Sequence, residues 1–158
     1  MADFRPVEAT KARILSIHPA TDGASPDAAN AEWIEVQVQL DGDLANWRLQ
    51  HLEPLWREEV ARPVRWDWVY TWGSPAFVGA GEIYRIHSGS RARAATHPLT
   101  DDLAIGRKHV YVAGPDAEAR AIWRRGDHAR LVDAFGTVID EIVVWPPEPA
   151  ATPAPTAR

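Results

Sequence analysis

The chain contains no cysteine, which excludes disulfides, thiol chemistry and every cysteine-ligated zinc or iron–sulfur site. It also lacks the short loops that announce nucleotide or acyl chemistry. There is no Walker loop, no Gly-x-Gly-x-x-Gly and no Gly-x-Ser-x-Gly elbow, and the only Gly-Ser pairs are Gly73-Ser74 and Gly89-Ser90. Five serines leave few nucleophiles. Residues Met1 to Arg13 mix Asp3, Arg5, Glu8 and Lys11 with no apolar segment, so neither a secretory signal nor a membrane span is expected there. The expected location is the cytoplasm, without membrane contact. A net charge of -5 argues against nonspecific attraction of the whole molecule to nucleic acid or anionic lipid.

What is present is an apolar fraction of 46% in 158 residues, enough for a real core. Charge is unevenly spread. Residues 1–79 hold 7 Lys+Arg against 12 Asp+Glu, whereas residues 80–130 hold 9 against 6, together with His87, His97, His109 and His128. From Pro146 the chain reads PPEPAATPAPTAR, without hydrophobic periodicity, and residues 147–158 are expected to form a disordered tail.

A pattern recurs along the chain. Ile14, Ile17 and His18 return as Ile83, Ile86 and His87; Val36 and Val38 as Val110 and Val112; Ala45, Trp47 and Arg48 as Ala121, Trp123 and Arg124; Asp67 and Trp72 as Asp140 and Trp145. Order is kept while the offsets run 69, 74, 76 and 73, so length changes fall between the matched blocks, where loops absorb them. This predicts an N-terminal extension (1–10), one β module over 11–75 and a second over 76–146.

Each copy reads as strands. In residues 33–40, Ile34, Val36, Val38 and Leu40 alternate with Glu35, Gln37 and Gln39, the period of a half-buried strand. Asp41-Gly42-Asp43 reads as a turn into a partner strand, Ala45 to Leu52, which predicts a hairpin. The second copy repeats the parity with Lys108, Val110 and Val112 against Arg107, His109 and Tyr111, then turns at Gly114-Pro115-Asp116 and returns over Arg120 to Arg125. First strands are expected at Lys11–His18 and Gly81–His87, closing strands at Arg65–Trp72 and Thr137–Trp145. Polar connections separate each first strand from its hairpin. Pro54 to Ala61 is the helix candidate.

The fold class is therefore all-β with at most one or two short helices, arranged as two tandem SH3-like small barrels or as one pseudo-twofold β-sandwich. The stretch Gly126 to Ile142, GDHARLVDAFGTVIDEI, resembles the KOW pattern of ribosomal and transcription-factor barrels in its Gly-Asp start, alternating apolar residues and Gly136-Thr-Val turn. That resemblance implies contact with nucleic acid or a polymerase.

Trp66, Trp68, Tyr70 and Trp72 alternate on one strand and so share a face. Such a stripe can build a core or stack bases and sugars, each base contributing about 1–3 kcal/mol. Because Trp68 aligns with Glu141, whose carboxylate is costly to bury, Trp68 is the residue expected at the surface or between the copies. Asp67 and Asp140 are read as turn caps or arginine partners, with paired catalytic carboxylates as the alternative. His18 and His87 end first strands and are read as backbone-bonded; a metal shared with His51 or His128 is the other option. Ser88-Gly-Ser-Arg-Ala-Arg is read as a flexible basic tip, with Arg85, Arg107 and Lys108 on adjoining strands and His97 following. The candidate contact residues are thus Trp68, Arg85, Arg91, Arg93, His97, Arg107 and Lys108, with no catalytic residue, metal or cofactor assigned.

These readings point to a non-enzymatic binding or scaffold protein that meets a protein partner or a second copy of itself through the basic loop and exposed aromatics. A nucleic-acid binder of KOW/SH3-like type is one alternative. The other is a small enzyme with an Asp/His site, drawing on Asp67 or His87, between the modules.

Overall fold

The structure is a computed structural model, and it describes residues 11–19, 26–52, 66–113, 122–123 and 126–144. The Pro54–Ala61 helix candidate, the Gly114-Pro115-Asp116 turn, most of the Arg120–Arg125 return, Trp145 and the 147–158 tail lie outside the described residues.

Strand is the dominant element. In chain order come β1 (Ala12–His18), α1 (Pro26–Ala31), β2 (Trp33–Val38), β3 (Gly42–Asp43), β4 (Arg48–Leu52), β5 (Asp67–Thr71), β6 (Phe77–Val78), β7 (Ile83–Ser90), α2 (Arg91–Thr96), a 3-10 turn (Thr100–Leu103), β8 (Lys108–Ala113), β9 (His128–Val132) and β10 (Val138–Val143). They form an all-β architecture with, among the described residues, two six-residue helices. No helix among the described residues is long and apolar enough to cross a membrane.

Two four-stranded sheets carry the fold, one ordered β1-β2-β7-β8 and the other β10-β9-β4-β5, with β3 and β6 as a small ribbon. Neighbours are antiparallel except β7 and β8, which run parallel. A parallel pair cannot be joined by a tight turn. Residues 91–107, with α2 and the 3-10 turn, supply the crossover that it requires.

The alternation read from the sequence sets the inner faces. Ile14, Ile34, Val36, Val38 and Ile86 of the first sheet meet Leu49, Ala129 and Leu131 of the second, with Trp47, Trp72 and Trp123 in the same apolar cluster. Each sheet takes two strands from residues 11–75 and two from 76–146, and β2–β7 and β4–β9 hydrogen-bond across that boundary. Strand pairing therefore does not separate the halves into two barrels. Asp140 ties the layers together at one end: its Oδ2 accepts the Ile14 N–H at 2.8 Å, where β1 bulges between Ile14 and Ser16.

Several expectations need correction. The Trp33–Leu40/Ala45–Leu52 hairpin does not form, since β2 pairs with β1 and β7 while β4 lies in the other sheet between β5 and β9. Asp41-Gly42-Asp43 is instead a corner between sheets. Asp43 Oδ1 accepts the N–H groups of Ala45 and Ala76, and the buried side chains of Leu44 and Trp47 carry the chain across the core. Leu40 lies beyond the end of β2 and is exposed. Between the first two strands the polar connection contains α1, and Ser88 to Arg93 is no flexible tip. Ser88–Ser90 ends β7, and Ser90 caps α2 by accepting the Arg93 N–H at 3.2 Å. The small residues there serve close packing: a Cβ on Gly89 would stand 1.5 Å from Asn30 Oδ1.

Candidate functional site

Two polar surfaces flank the core, one on the outside of each sheet. The contact residues expected from sequence are divided between them.

The first sheet's outer face carries Trp33 and Glu35 of β2, Arg85 and His87 of β7, and His109 and Tyr111 of β8. Alternation alone would leave them in water, but α1 and the crossover pack over this face. Glu35 is 3% exposed and Arg85 6%. Arg85 Nε donates to Glu35 Oε2 at 3.1 Å and Arg107 Nε to the same oxygen at 2.8 Å, while their Nη1 groups donate to the carbonyls of Asp101 and Ile105. Burial alone would raise the Glu35 pKa, but the two guanidiniums outweigh it and hold the carboxyl below its ordinary value. Arg85 also stacks on Trp33, 4.0 Å from the ring centroid, whose ring in turn stacks on His18. Arg85 and Arg107 are thus struts that fasten the crossover to β2. Lys108 pairs with Glu82 at 3.1 Å, His97 follows α2 with Nδ1 2.9 Å from Thr96 Oγ1, and Arg93 is half-buried on α2.

Deeper on this face, His87 Nδ1 lies 3.1 Å from the Asn30 carbonyl, His87 Nε2 lies 2.8 Å from His109 Nδ1, and His109 Nε2 lies 2.8 Å from the Ala104 carbonyl. Carbonyls only accept, so both outer nitrogens must carry hydrogen, and the contact between the rings needs one more. Asp102 Oδ1 lies 3.6 Å from His87 Nδ1 and accepts the Tyr111 hydroxyl at 2.9 Å. Burial first, then the neighbouring His109 and Arg85, lower the His87 pKa against the Asn30 hydrogen bond and Asp102. Burial and Asp102 raise that of Tyr111. His87 has no exposed surface, and Asp67 lies in the other sheet, paired across from His51. His18 and His87 flank Trp33 on the two neighbouring strands and take different partners. Among the described residues no group of three or more metal-binding side chains occurs.

The second sheet's outer face is aromatic and basic. Trp68 is 64% exposed and lies beneath the Arg48 guanidinium, 4.4 Å from its ring centroid. Trp66 carries Arg130 at 3.9 Å, and Arg130 Nε donates to Gln50 Oε1 at 2.7 Å. The aromatic stripe does not run on one face throughout. A bulge between the Leu49–Tyr70 and Gln50–Trp68 pairs resets the alternation, turning Tyr70 and Trp72 to the core and leaving Trp66 and Trp68 outside. Arg48, Arg130 and Gln50 were not among the residues expected here. The sequence signal for them was their parity with the Trp strand across β4 and β9, which only the strand pairing reveals.

Asp67 is exposed, and Asp140 accepts from backbone N–H groups. The stretch that resembles KOW forms the β9–β10 hairpin, with Gly136 at φ +83° in its turn. The chain matches no protein-family model and no curated protein.

Proposed function

We propose that the chain is a non-enzymatic binding or scaffold protein, and that the outer face of its second sheet meets a protein partner or a second copy of the chain. The observation that carries this reading is Trp68, a large ring left 64% exposed with a guanidinium stacked on it, beside the Trp66–Arg130 pair. A rigid aromatic offers contact area at little entropic cost, and tryptophan with arginine dominates the energetics of protein interfaces. Arg85 and Arg107 are engaged by Glu35, so the weight of the reading moves from the basic segment of residues 85–108 to this face. Each half sends two strands to the first sheet and then two to the second, as an internal doubling would, although β1–β2 is antiparallel and β7–β8 parallel. The absence of cysteine fits a reducing compartment such as the cytoplasm.

A second reading, single-stranded nucleic acid, is favoured by the same stacked rings and arginines, which suit base stacking along a backbone. Sedimentation across a concentration series, with wild type and Trp68→Ala, tests the first reading in its self-association form. Reversible association that the substitution weakens about tenfold or more supports it. A wild type that stays monomeric but binds a labelled single-stranded oligonucleotide, with affinity falling as salt rises, transfers the assignment to nucleic acid. A monomer that binds no oligonucleotide removes both of these forms.

A further inference from the structure

The edges of the two sheets, β8 and β5, approach each other beside α2 and leave an open groove of about 620 Å³. Its walls include Ala92 and Ala95 of α2, Val110 and Tyr111 of β8, and Tyr70 of β5, with Arg91 as the charged group among them. We propose that this groove is a binding site for a small apolar carboxylate, such as an aromatic or short-chain acid. The site is separate from the Trp68 face and does not depend on the function proposed for it.

The volume lies within the usual range for small-ligand pockets, about 300–1,000 Å³. Methyl and isopropyl groups of Ala92, Ala95 and Val110 suit an apolar body, while the polar groups are few and specific. Arg91 Nη2 donates to the His109 carbonyl at 3.1 Å, and the guanidinium sits 5.3 Å from the Tyr111 ring centroid. The side chain is thereby held in place, while Nε and Nη1 have no partner among the described residues. A pre-positioned guanidinium loses little entropy when a carboxylate docks. Tyr70 adds an aromatic wall on the β5 side. Among the described residues, no acidic side chain belongs to this lining. One guanidinium matches a single negative charge, whereas a phosphate needs more donors than this groove provides. The occupant inferred is therefore a monoanion with a flat or narrow apolar body.

Isothermal titration of the full chain with benzoate, with benzamide as its uncharged counterpart, and with inorganic phosphate tests the assignment. Saturable one-to-one binding of benzoate is expected, with benzamide and phosphate each weaker by about tenfold or more, equivalent to about 1.4 kcal/mol. Arg91→Ala should weaken benzoate by at least the same factor. Ala95→Trp, at an exposed helical position, should block the groove and abolish binding while circular dichroism stays unchanged. Absence of saturable benzoate binding, equal affinity for benzamide or phosphate, or undiminished binding in Ala95→Trp would each overturn the proposal.

Discussion

Glu35 shows how one side chain can hold a long connection in place. A single carboxylate oxygen receives Arg85 from β7 and Arg107 from the crossover, and both arginines also hold backbone carbonyls of that crossover. Removing one partner of a buried ion pair leaves the other charge without compensation, which costs about 3–5 kcal/mol when burial is complete. Because Arg107 is one-third exposed, Glu35→Gln should fall nearer the lower end, about 3 kcal/mol, read from the urea midpoint. The same carboxylate sets a pH dependence. Its pKa is lower folded than unfolded, so between the two values the unfolded chain binds more protons and stability rises with pH. Its contribution is complete above the ordinary value of 4.5 and is lost as pH falls below it through the depressed folded value. Urea titrations on either side of that value should show an acid-side loss in wild type that Glu35→Gln lacks.

At the scale of an element, the end of β7 is where local reading and packing part company. Ser-Gly-Ser reads locally as a mobile loop because small residues give the backbone freedom. In the fold, Asn30 of α1 lies directly over Gly89 and hydrogen-bonds the Ser90 backbone on both sides, through Oδ1 at 2.9 Å and Nδ2 at 3.3 Å. Glycine is required by proximity. Gly89→Ala would set a methyl group against both the Asn30 amide and its Cα, the latter at 2.8 Å, so α1 must move. The expected cost is about 1–3 kcal/mol, measured by chemical unfolding, with faster hydrogen exchange in α1 as the local sign. The bulge in β5 is the converse case. Perfect alternation predicted one aromatic face, yet an extra residue in the strand divides it into a core pair and a surface pair.

For the molecule as a whole, what matters is how two sheets built from both halves stay together. Besides the apolar cluster, the Asp140–Ile14 hydrogen bond joins an edge strand of one sheet to an edge strand of the other. Asp140→Ala leaves the Ile14 N–H without its acceptor, and the loss should be about 1–3 kcal/mol, with the Ile14 amide among those whose exchange accelerates most. Sharing both sheets also means that truncation after residue 75 removes β7 and β8 from one sheet and β9 and β10 from the other. A stable isolated N-terminal half is therefore not expected.

Composition and alternation were enough to determine the all-β class and which residues of β2 and β8 face the core, because period two follows from strand geometry whatever the partners. The repeat alignment, through the carboxylate at its counterpart, offered the surface or the space between copies for Trp68, and the ring lies 64% exposed. Tertiary structure alone decided that β2 and β4 lie in different sheets, that β7 and β8 run parallel, that Glu35 and Arg85 are buried, and that Tyr70 reaches the groove beside Arg91. A period of two separates a strand's faces without saying what covers either one. That depends on segments far along the chain, whose approach is settled by the shared core.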